Sequence, residues 1–266
     1  MFNLSGEVAV VIGGTGVLGG ALCTGLSGAG AAVAVLGRNR DRGQARSESL
    51  TAAGGRAAFI SCDANDRASV AQALAEVRAA LGEPTVLVNA AGGNHPAVTV
   101  AGERRFEHIT LEDWEANYRL NLVGGALLPC QVFGPEMVAR KRGSIINIAS
   151  VSAHIPLSRV VAYSAAKAAV LSLTQFLARE WAPHGVRVNS ITPGFFPAEQ
   201  NRRLLYQEDG SPTERGRQIL AHTPLGRFGV AEELIGAVVF LAAAKASSFV
   251  TGSDLRVDGG FLAQTI

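Results

Sequence analysis

The sequence places a tyrosine and a lysine four residues apart, Tyr163 and Lys167, at the start of an apolar run that continues to Trp181. In an α-helix, residues i and i+4 lie on the same face, so we expect the phenol and the ammonium to point into one site. An ammonium beside a phenol favours the phenolate and lowers the pKa of the tyrosine. The pair is therefore a candidate for proton transfer near neutral pH, although the same spacing also occurs on ordinary helix faces.

A glycine-rich turn follows the first apolar segment of the chain, residues 8–12. Gly14, Gly16 and Gly19 match a dinucleotide-binding pattern in which glycine permits a tight turn and close approach of a pyrophosphate. A helical pattern begins near Leu18, so its first backbone amides are available to a phosphate. A strand before the glycines and a helix after them is the context that this motif requires. The sequence therefore predicts a dinucleotide site; a glycine turn without a ligand is the alternative.

The residues after the second predicted strand bear on which dinucleotide is bound. An NAD site usually has an acidic residue there, which binds the ribose hydroxyls. In this chain the strand is followed by Arg38, and the first acid is Asp41. Arg38 is suited to pair with a 2′-phosphate, with Arg40 or Arg42 assisting. We predict NADP as the cofactor, with NAD as the alternative.

The composition limits the class of protein. A chain of 266 residues suits one α/β domain or at most two, and its formal net charge of +2 is too small to indicate a nucleic-acid partner. Three widely spaced cysteines form no disulfide or metal-ligand pattern, which suggests reduced thiols in a cytosol. We find no signal-peptide pattern, and the apolar run at 234–244 is too short to span a bilayer. We expect a cytoplasmic protein with no membrane or nucleic-acid partner.

Short apolar segments alternate with helical patterns along the whole chain. Fully apolar strands between helices indicate a parallel sheet covered on both faces, so we predict an α/β, single-domain Rossmann fold with a doubly wound parallel sheet. The domain is expected to span 1–266, and the irregular, polar segment at about 193–223 is expected to be a substrate lid. The predicted strands are 8–12, 32–36, 57–61, 85–89, 144–149, 186–191 and 254–257.

With these residues in place, the chain resembles the short-chain dehydrogenase/reductase family over nearly its whole length. The matching features, in the family's order, are the glycine turn, Asp63, the segment 89–92, Asn121, Ser150, Tyr163, Lys167 and Pro193-Gly194. The resemblance implies an enzyme that passes a hydride between a nicotinamide and a carbonyl or secondary alcohol carbon. It also suggests a homotetramer packed through the helices at 111–140 and 161–181.

The resemblance implies a role for each matched polar residue. Tyr163 would donate and remove the proton, while Lys167 would lower its pKa and hold the nicotinamide ribose. Ser150 would hydrogen-bond the substrate oxygen where charge develops, and Asn121 would complete the proton path through a bound water. The implied cofactor-binding residues are Gly13, Thr15, Gly16, Leu18, Gly19, Arg38, Asn39, Asp63, Ala64, Asn89, Ala91, Gly92, Tyr163, Lys167, Pro193, Gly194 and Phe196.

The chain departs from the family's pattern in three loops. Ile12 and Val17 stand where the family has a threonine and a middle glycine. Ala90 replaces the second asparagine of an Asn-Asn-Ala-Gly motif, and Ala198 stands where a threonine often follows Gly194 by four residues. We expect the diphosphate contacts to be altered but kept.

Three segments, 92–96, 193–196 and 199–202, look like the subgroup of D-mannonate oxidoreductases (fructuronate reductases) within the family. The residues expected to rim the pocket are mostly polar and include two arginines, which suit a carboxylate through paired donors. They are Asn94, His95, His154, Arg159, Glu199, Gln200, Asn201 and Arg202. No histidine and carboxylate spacing suggests a metal site.

We therefore predict a keto-sugar acid as substrate, such as fructuronate reduced to mannonate. The alternatives are an enzyme of the 3-oxoacyl-carrier-protein reductase or gluconate 5-dehydrogenase type, whose general motifs are the same. A dinucleotide sensor without catalysis is a further alternative. The complete set of Asn121, Ser150, Tyr163 and Lys167 argues against a sensor, which has no need of all four.

Overall fold

The computed structural model describes residues 1–198 and 201–265. Within them, seven strands form one sheet in the order β3-β2-β1-β4-β5-β6-β7, and every neighbouring pair is parallel. The strands are β1 Val8–Ile12, β2 Ala32–Gly37, β3 Ala57–Ser61, β4 Val86–Asn89, β5 Gly143–Ile148, β6 Val186–Pro193 and β7 Asp254–Val257. The predicted α/β class and doubly wound parallel sheet are confirmed.

Helices cover both faces of this sheet. They are α1 Val17–Gly28, α2 Arg40–Ala52, α3 Arg67–Leu81, α4 Leu111–Tyr118, α5 Leu128–Ala139, α6 Val161–Trp181, α7 Arg202–Leu205, α8 Glu214–Ala221, α9 Ile235–Ala242 and α10 Ala244–Ser247. A π-helical segment, Arg119–Leu127, joins α4 to α5. The sequence shows helical patterns over 111–140, and the π-helical winding within them is a feature that only the structure reveals.

The apolar strands are explained by two core layers. Ala9 and Val11 of β1 pack toward α1 and α9, whereas Val10 and Ile12 pack toward α3, α5 and α6. Successive side chains of a strand point to opposite faces, so a strand covered on both sides is apolar throughout. This arrangement leaves the carboxyl ends of the strands as the edge where polar side chains gather.

Two helical stretches, Leu111–Ala139 and Val161–His184, are long and apolar enough to cross a membrane by length and composition alone. Both contribute buried residues to the core layer on one face of the sheet, including Phe133, Met137 and Leu177. Core helices of soluble proteins meet the same criterion, so this is weak evidence for a membrane span.

Candidate active site

The sheet brings the end of β1 beside the end of β4, where the strand order reverses. Open α/β sheets bind ligands outside the carboxyl ends of their strands at such a point. The glycine turn after β1 lies here. Gly13 has a φ of +81°, and a Cβ on it would lie 2.7 Å from the backbone nitrogen of Ala91. A Cβ on Gly19 would lie 2.2 Å from the carbonyl oxygen of Gly13, so both positions require glycine.

The exposed part of this turn is the part available to a dinucleotide. Gly16 is the N-cap of α1 and no side chain caps the helix there, so its first amides remain available. Val17, at the place of the family's middle glycine, is 42% exposed. Thr15 packs against Gly37 and Leu18 against the core layer beneath α1. The substitution at Val17 therefore changes the outer surface of the turn without disturbing its backbone.

The other predicted cofactor residues divide into exposed and buried groups. Arg38 is exposed at the end of β2, while the side chain of Asn39 accepts a hydrogen bond from Arg42 N at 2.9 Å and caps α2. Asp63 and Ala64 are half-buried after β3, where an oxygen of Asp63 accepts from Asn65 N. The side chain of Arg38 is thus exposed at the surface, whereas the side chain of Asn39 is used to cap α2.

Two predicted cofactor side chains point into the protein instead of toward a ligand. Asn89 is fully buried, and its Nδ2 donates to Asn147 Oδ1 at 2.8 Å within the sheet. Phe196 is buried in the core, where its ring fills the space beside Gly229. Only the backbone at these two positions remains for a dinucleotide. Gly194 packs against the backbone of Asp258, which fixes the start of the segment after β6.

The lysine of the tyrosine-lysine pair is held firmly. Lys167 is 3% exposed, and its Nζ donates to the carbonyl oxygen of Ile148 at 2.7 Å, at the end of β5. The same atom lies 5.7 Å from the centroid of the Tyr163 ring. Burial lowers the pKa of Lys167 to about 8. The lysine therefore joins the start of α6 to the end of β5. The loop between these two elements, residues 149–160, carries Ser150 and is called the catalytic loop.

Ser150 lies directly beyond β5 and faces Tyr163. Burial raises the pKa of Tyr163 above the ordinary value for tyrosine, and the nearby Ser150 side chain lowers it by a smaller amount. The Ser150 hydroxyl also accepts from Ser152 N at 3.2 Å and from Ser152 Oγ at 3.0 Å. The sequence predicted a lowered tyrosine pKa; the structure gives the opposite direction, because burial of the phenol is the dominant effect.

Asn121 connects the π-helical segment to the loop after β4. Its Oδ1 accepts from Gly93 N at 2.8 Å, and its Nδ2 donates to Gly93 O at 2.8 Å and to Asn117 O at 2.9 Å. Gly92 has a φ of +148°, and a Cβ there would lie 2.7 Å from Asn121 Oδ1 and 3.4 Å from Lys167 Nζ. Asn121, Gly92 and Lys167 are thus brought together, with Asn121 fully buried.

His154 pairs with a carboxylate that the sequence does not single out. Its Nε2 lies 3.1 Å from Asp254 Oδ2 and 3.4 Å from Thr192 Oγ1. Ser190 and Thr192 both donate to Asp254 Oδ1, at 2.6 and 2.7 Å. Asp254 begins β7, far along the chain from Ser150, so no local pattern could have identified it. The network holds the ring of His154 in place within the loop that also carries Ser150.

The remaining predicted substrate residues have varied positions. His95 is exposed and caps a short turn by accepting from Ala97 N at 3.2 Å, while Asn94 donates to Thr99 Oγ1. The carboxamide of Asn201 bonds the backbone of Phe196 and Ala198, which makes it a support of its own loop.

Arg159 is exposed before α6, and the guanidinium of Arg202 lies 5.4 Å from the ring of Tyr206. Glu199 and Gln200 lie outside the described residues. Among residues 1–198 and 201–265, no group of three or more His, Cys, Asp or Glu side chains is arranged to hold a metal ion.

A glycine turn at the switch point of a parallel sheet, with serine, tyrosine and lysine grouped beyond β5, defines a dinucleotide-dependent oxidoreductase. Comparison with known proteins narrows the class. A family model described as enoyl-(acyl carrier protein) reductase matches residues 16–262. UxuB of Bacillus subtilis, an uncharacterised oxidoreductase, is 42% identical over 269 residues, which cover 98% of this chain and 96% of that protein.

Two solved structures are also close. A Haemophilus influenzae protein with bound NAD, provisionally assigned as a D-mannonate oxidoreductase, has a TM-score of 0.93 and 36% identity, covering 99% of this chain and 97% of the other. A gluconate 5-dehydrogenase of Burkholderia cenocepacia, in complex with NADP and tartrate, has a TM-score of 0.89 and 33% identity, covering 99% and 98%.

The chain belongs to the short-chain dehydrogenase/reductase family, as its motifs predicted. It is accordingly an NAD(P)-dependent oxidoreductase that acts on CH–OH groups.

Proposed function

We propose that this enzyme interconverts a keto-sugar acid and its hydroxy acid, with fructuronate and mannonate as the favoured pair. The observation that carries the chemistry is the grouping of Ser150, Tyr163 and Lys167, since a phenol near a serine hydroxyl and a buried ammonium is suited to proton transfer. The polar residues near this site, His154 and Arg159 among them, support a hydroxylated and acidic substrate over an apolar one.

Each catalytic side chain has one task in this proposal. The bound nicotinamide supplies or accepts the hydride. Tyr163 gives its proton to the substrate oxygen in reduction and takes it back in oxidation. Ser150 donates a hydrogen bond to the same oxygen, and Lys167 stabilises the phenolate through its positive charge. Asn121 holds the loop at Gly93 close to Lys167, so that the proton path to solvent keeps its shape.

NADP is the cofactor that we favour, with NAD as the alternative. Support comes from Arg38, which is exposed where an acid would otherwise bind the ribose hydroxyls. The Haemophilus influenzae relative has bound NAD and the Burkholderia cenocepacia relative has NADP, so relatives exist with either dinucleotide.

A gluconate 5-dehydrogenase activity is the second candidate, and the Burkholderia cenocepacia relative of that name supports it directly. It differs from the first candidate in the sugar acid and the oxidised carbon, not in the site chemistry. A 3-oxoacyl-carrier-protein reductase is a weaker alternative, because an acyl pocket is lined mainly by apolar side chains. A dinucleotide sensor is weaker still, because Ser150, Tyr163 and Lys167 are all grouped as catalysis needs.

Three further expectations belong to the proposal. The segment at about 193–223 acts as a lid over the substrate, within a single domain of residues 1–266. The enzyme assembles as a homotetramer through the helices α4 to α6, where Leu111 and Phe176 are exposed apolar residues. It acts in the cytoplasm, on a small molecule and without a nucleic-acid partner.

The test is a substrate panel with NADPH or NADP, and with NADH or NAD. Purified enzyme is assayed by the absorbance of the reduced nicotinamide with fructuronate, mannonate, gluconate and an acetoacetyl thioester. Turnover of fructuronate and mannonate supports the first candidate, and turnover of gluconate alone supports the second. Turnover of the thioester with none of the sugar acids contradicts both.

A further inference from the structure

Arg159 has an unusual backbone conformation next to the catalytic helix. Its φ is +75°, and the only other non-glycine residue with positive φ in the described part of the chain is Lys141. Such a conformation is strained for a residue with a Cβ and persists where the surrounding structure imposes it. Here the carbonyl oxygen of Arg159 accepts from Val100 N at 2.9 Å, which ties it to the loop after β4. The backbone therefore holds Arg159 at one place between two loops of the active site.

A second arginine reaches the same place from the lid. Arg215, on α8, donates to Ser158 Oγ at 3.0 Å through one terminal nitrogen and to Ser158 O at 3.3 Å through the other. Burial and the neighbouring charge of Arg159 both lower the pKa of Arg215. Arg215 of the lid is thus bonded to the residue that directly precedes Arg159, in the loop between Ser150 and Tyr163.

The two cations lack a carboxylate partner in the part of the chain that the structure describes. Among residues 1–198 and 201–265, no carboxylate forms an ion pair with Arg159 or Arg215. Glu214, the neighbour of Arg215 on α8, pairs instead with Arg217 at 2.7 Å. Two like charges held together without a carboxylate repel each other, and an anion placed between them would remove that cost.

The packing of the lid keeps this pair next to the catalytic residues. Ile219 of α8 is buried together with Val151, which directly follows Ser150, and with Phe261. Ile155 and Leu157 of the same loop pack against this cluster. The lid helix is therefore seated on the loop between Ser150 and Tyr163, and Arg215 is positioned from it.

We propose that Arg159 and Arg215 form a two-guanidinium clamp for a carboxylate of the substrate, which rests on the sugar-acid function proposed above. Planar guanidinium groups match a carboxylate through paired N–H donors. Arg215 adds a lid residue that the sequence did not suggest. One arginine lies on the catalytic loop and the other on the lid, so a single substrate carboxylate would contact both segments.

The experiment compares Arg159→Gln, Arg215→Gln and the control Arg217→Gln, an exposed arginine on the same helix. Each enzyme is assayed with a sugar acid and with the uncharged polyol in which CH₂OH replaces its carboxylate, mannonate and mannitol for example. Each of the two clamp variants should lower kcat/KM for the acid about tenfold or more, mainly through KM, and leave kcat/KM for the polyol nearly unchanged. Arg217→Gln should change neither, and Arg215→Lys should recover part of the loss.

Tartrate provides a readout that does not depend on turnover. Its binding to the enzyme with reduced dinucleotide is followed by quenching of nicotinamide fluorescence, and it should weaken in both clamp variants but not in the control. This pattern supports the clamp even if no sugar acid is turned over, in which case the proposed function alone fails. Equal losses of kcat/KM for the acid and the polyol would show that Arg215 only holds the lid to Ser158, and would overturn the clamp. Unchanged tartrate binding in both variants, or none in the wild type, would also overturn it.

Discussion

The Nζ atom of Lys167 lies 5.7 Å from the centroid of the Tyr163 ring, one turn further along the same face of α6. The ammonium donates to the carbonyl oxygen of Ile148 at 2.7 Å. Burial is the largest effect on both groups: it raises the pKa of Tyr163 and lowers that of Lys167 to about 8. The pKa values of Tyr163 and Lys167 therefore respond to any positive charge that is brought near the phenol.

Tyr163→Phe should remove the proton donor while keeping the ring that packs beside Lys167. We expect turnover to fall by about two orders of magnitude or more, the usual scale for a general acid-base group. Dinucleotide binding, measured by fluorescence titration, should be almost unchanged. A variant with near-normal turnover would exclude Tyr163 from the mechanism.

Lys167→Met should change how stability depends on pH. An unfolded lysine titrates near pH 10.4, whereas burial lowers the pKa of Lys167 to about 8. Between these values the unfolded chain binds a proton that the folded chain does not, so this residue's contribution to the free energy of unfolding rises with pH. The variant should lack that rise, which amounts to about 3 kcal/mol between about pH 7 and about pH 11.

The measurement for Lys167 is urea unfolding of wild type and variant across this range, compared as a difference at each pH. The buried thiols of Cys23, Cys62 and Cys130, whose pKa values burial raises, titrate in both proteins and cancel in the difference. A constant difference across the range would contradict the lowered pKa of Lys167.

Arg38→Ala tests the choice of dinucleotide. A guanidinium paired with a 2′-phosphate makes charge-assisted hydrogen bonds, so its loss should weaken NADPH binding about tenfold or more and leave NADH binding nearly unchanged. Dissociation constants from fluorescence titration provide the comparison, with Arg179→Ala, an exposed arginine near the end of α6, as control. Equal losses for both dinucleotides, or a wild-type preference for NADH, would show that Arg38 does not select the cofactor.

Asn121→Ala should loosen the loop after β4. The substitution removes both hydrogen bonds to Gly93 and leaves its half-buried N–H and C=O without these partners, each at a cost of about 1 kcal/mol. We expect a lower unfolding free energy and faster hydrogen exchange at the Gly93 amide than in the wild type. Normal protection of that amide in the variant would mean that another group holds the loop.

Local patterns in the sequence were enough to predict the sheet and the glycine turn. The spacing of Ser150, Tyr163 and Lys167 was enough to single them out as site residues. The strands were recognisable because both faces of the sheet are buried and select apolar residues throughout. The turn was recognisable because the backbone contacts of Gly13 and Gly19 leave no room for a Cβ. In each case the physical requirement acts on a few consecutive residues.

Tertiary structure alone decided the features that join distant segments. Asp254, which pairs with Ser190 of β6, reaches His154 in the loop after β5. Asn89 turns inward to Asn147 because sheet register places these two side by side. Arg215 reaches Ser158, the residue before Arg159, because the lid helix α8 packs on the catalytic loop. The direction of the Tyr163 pKa also depended on burial, which is a property of everything packed around the ring and is not encoded in a four-residue spacing.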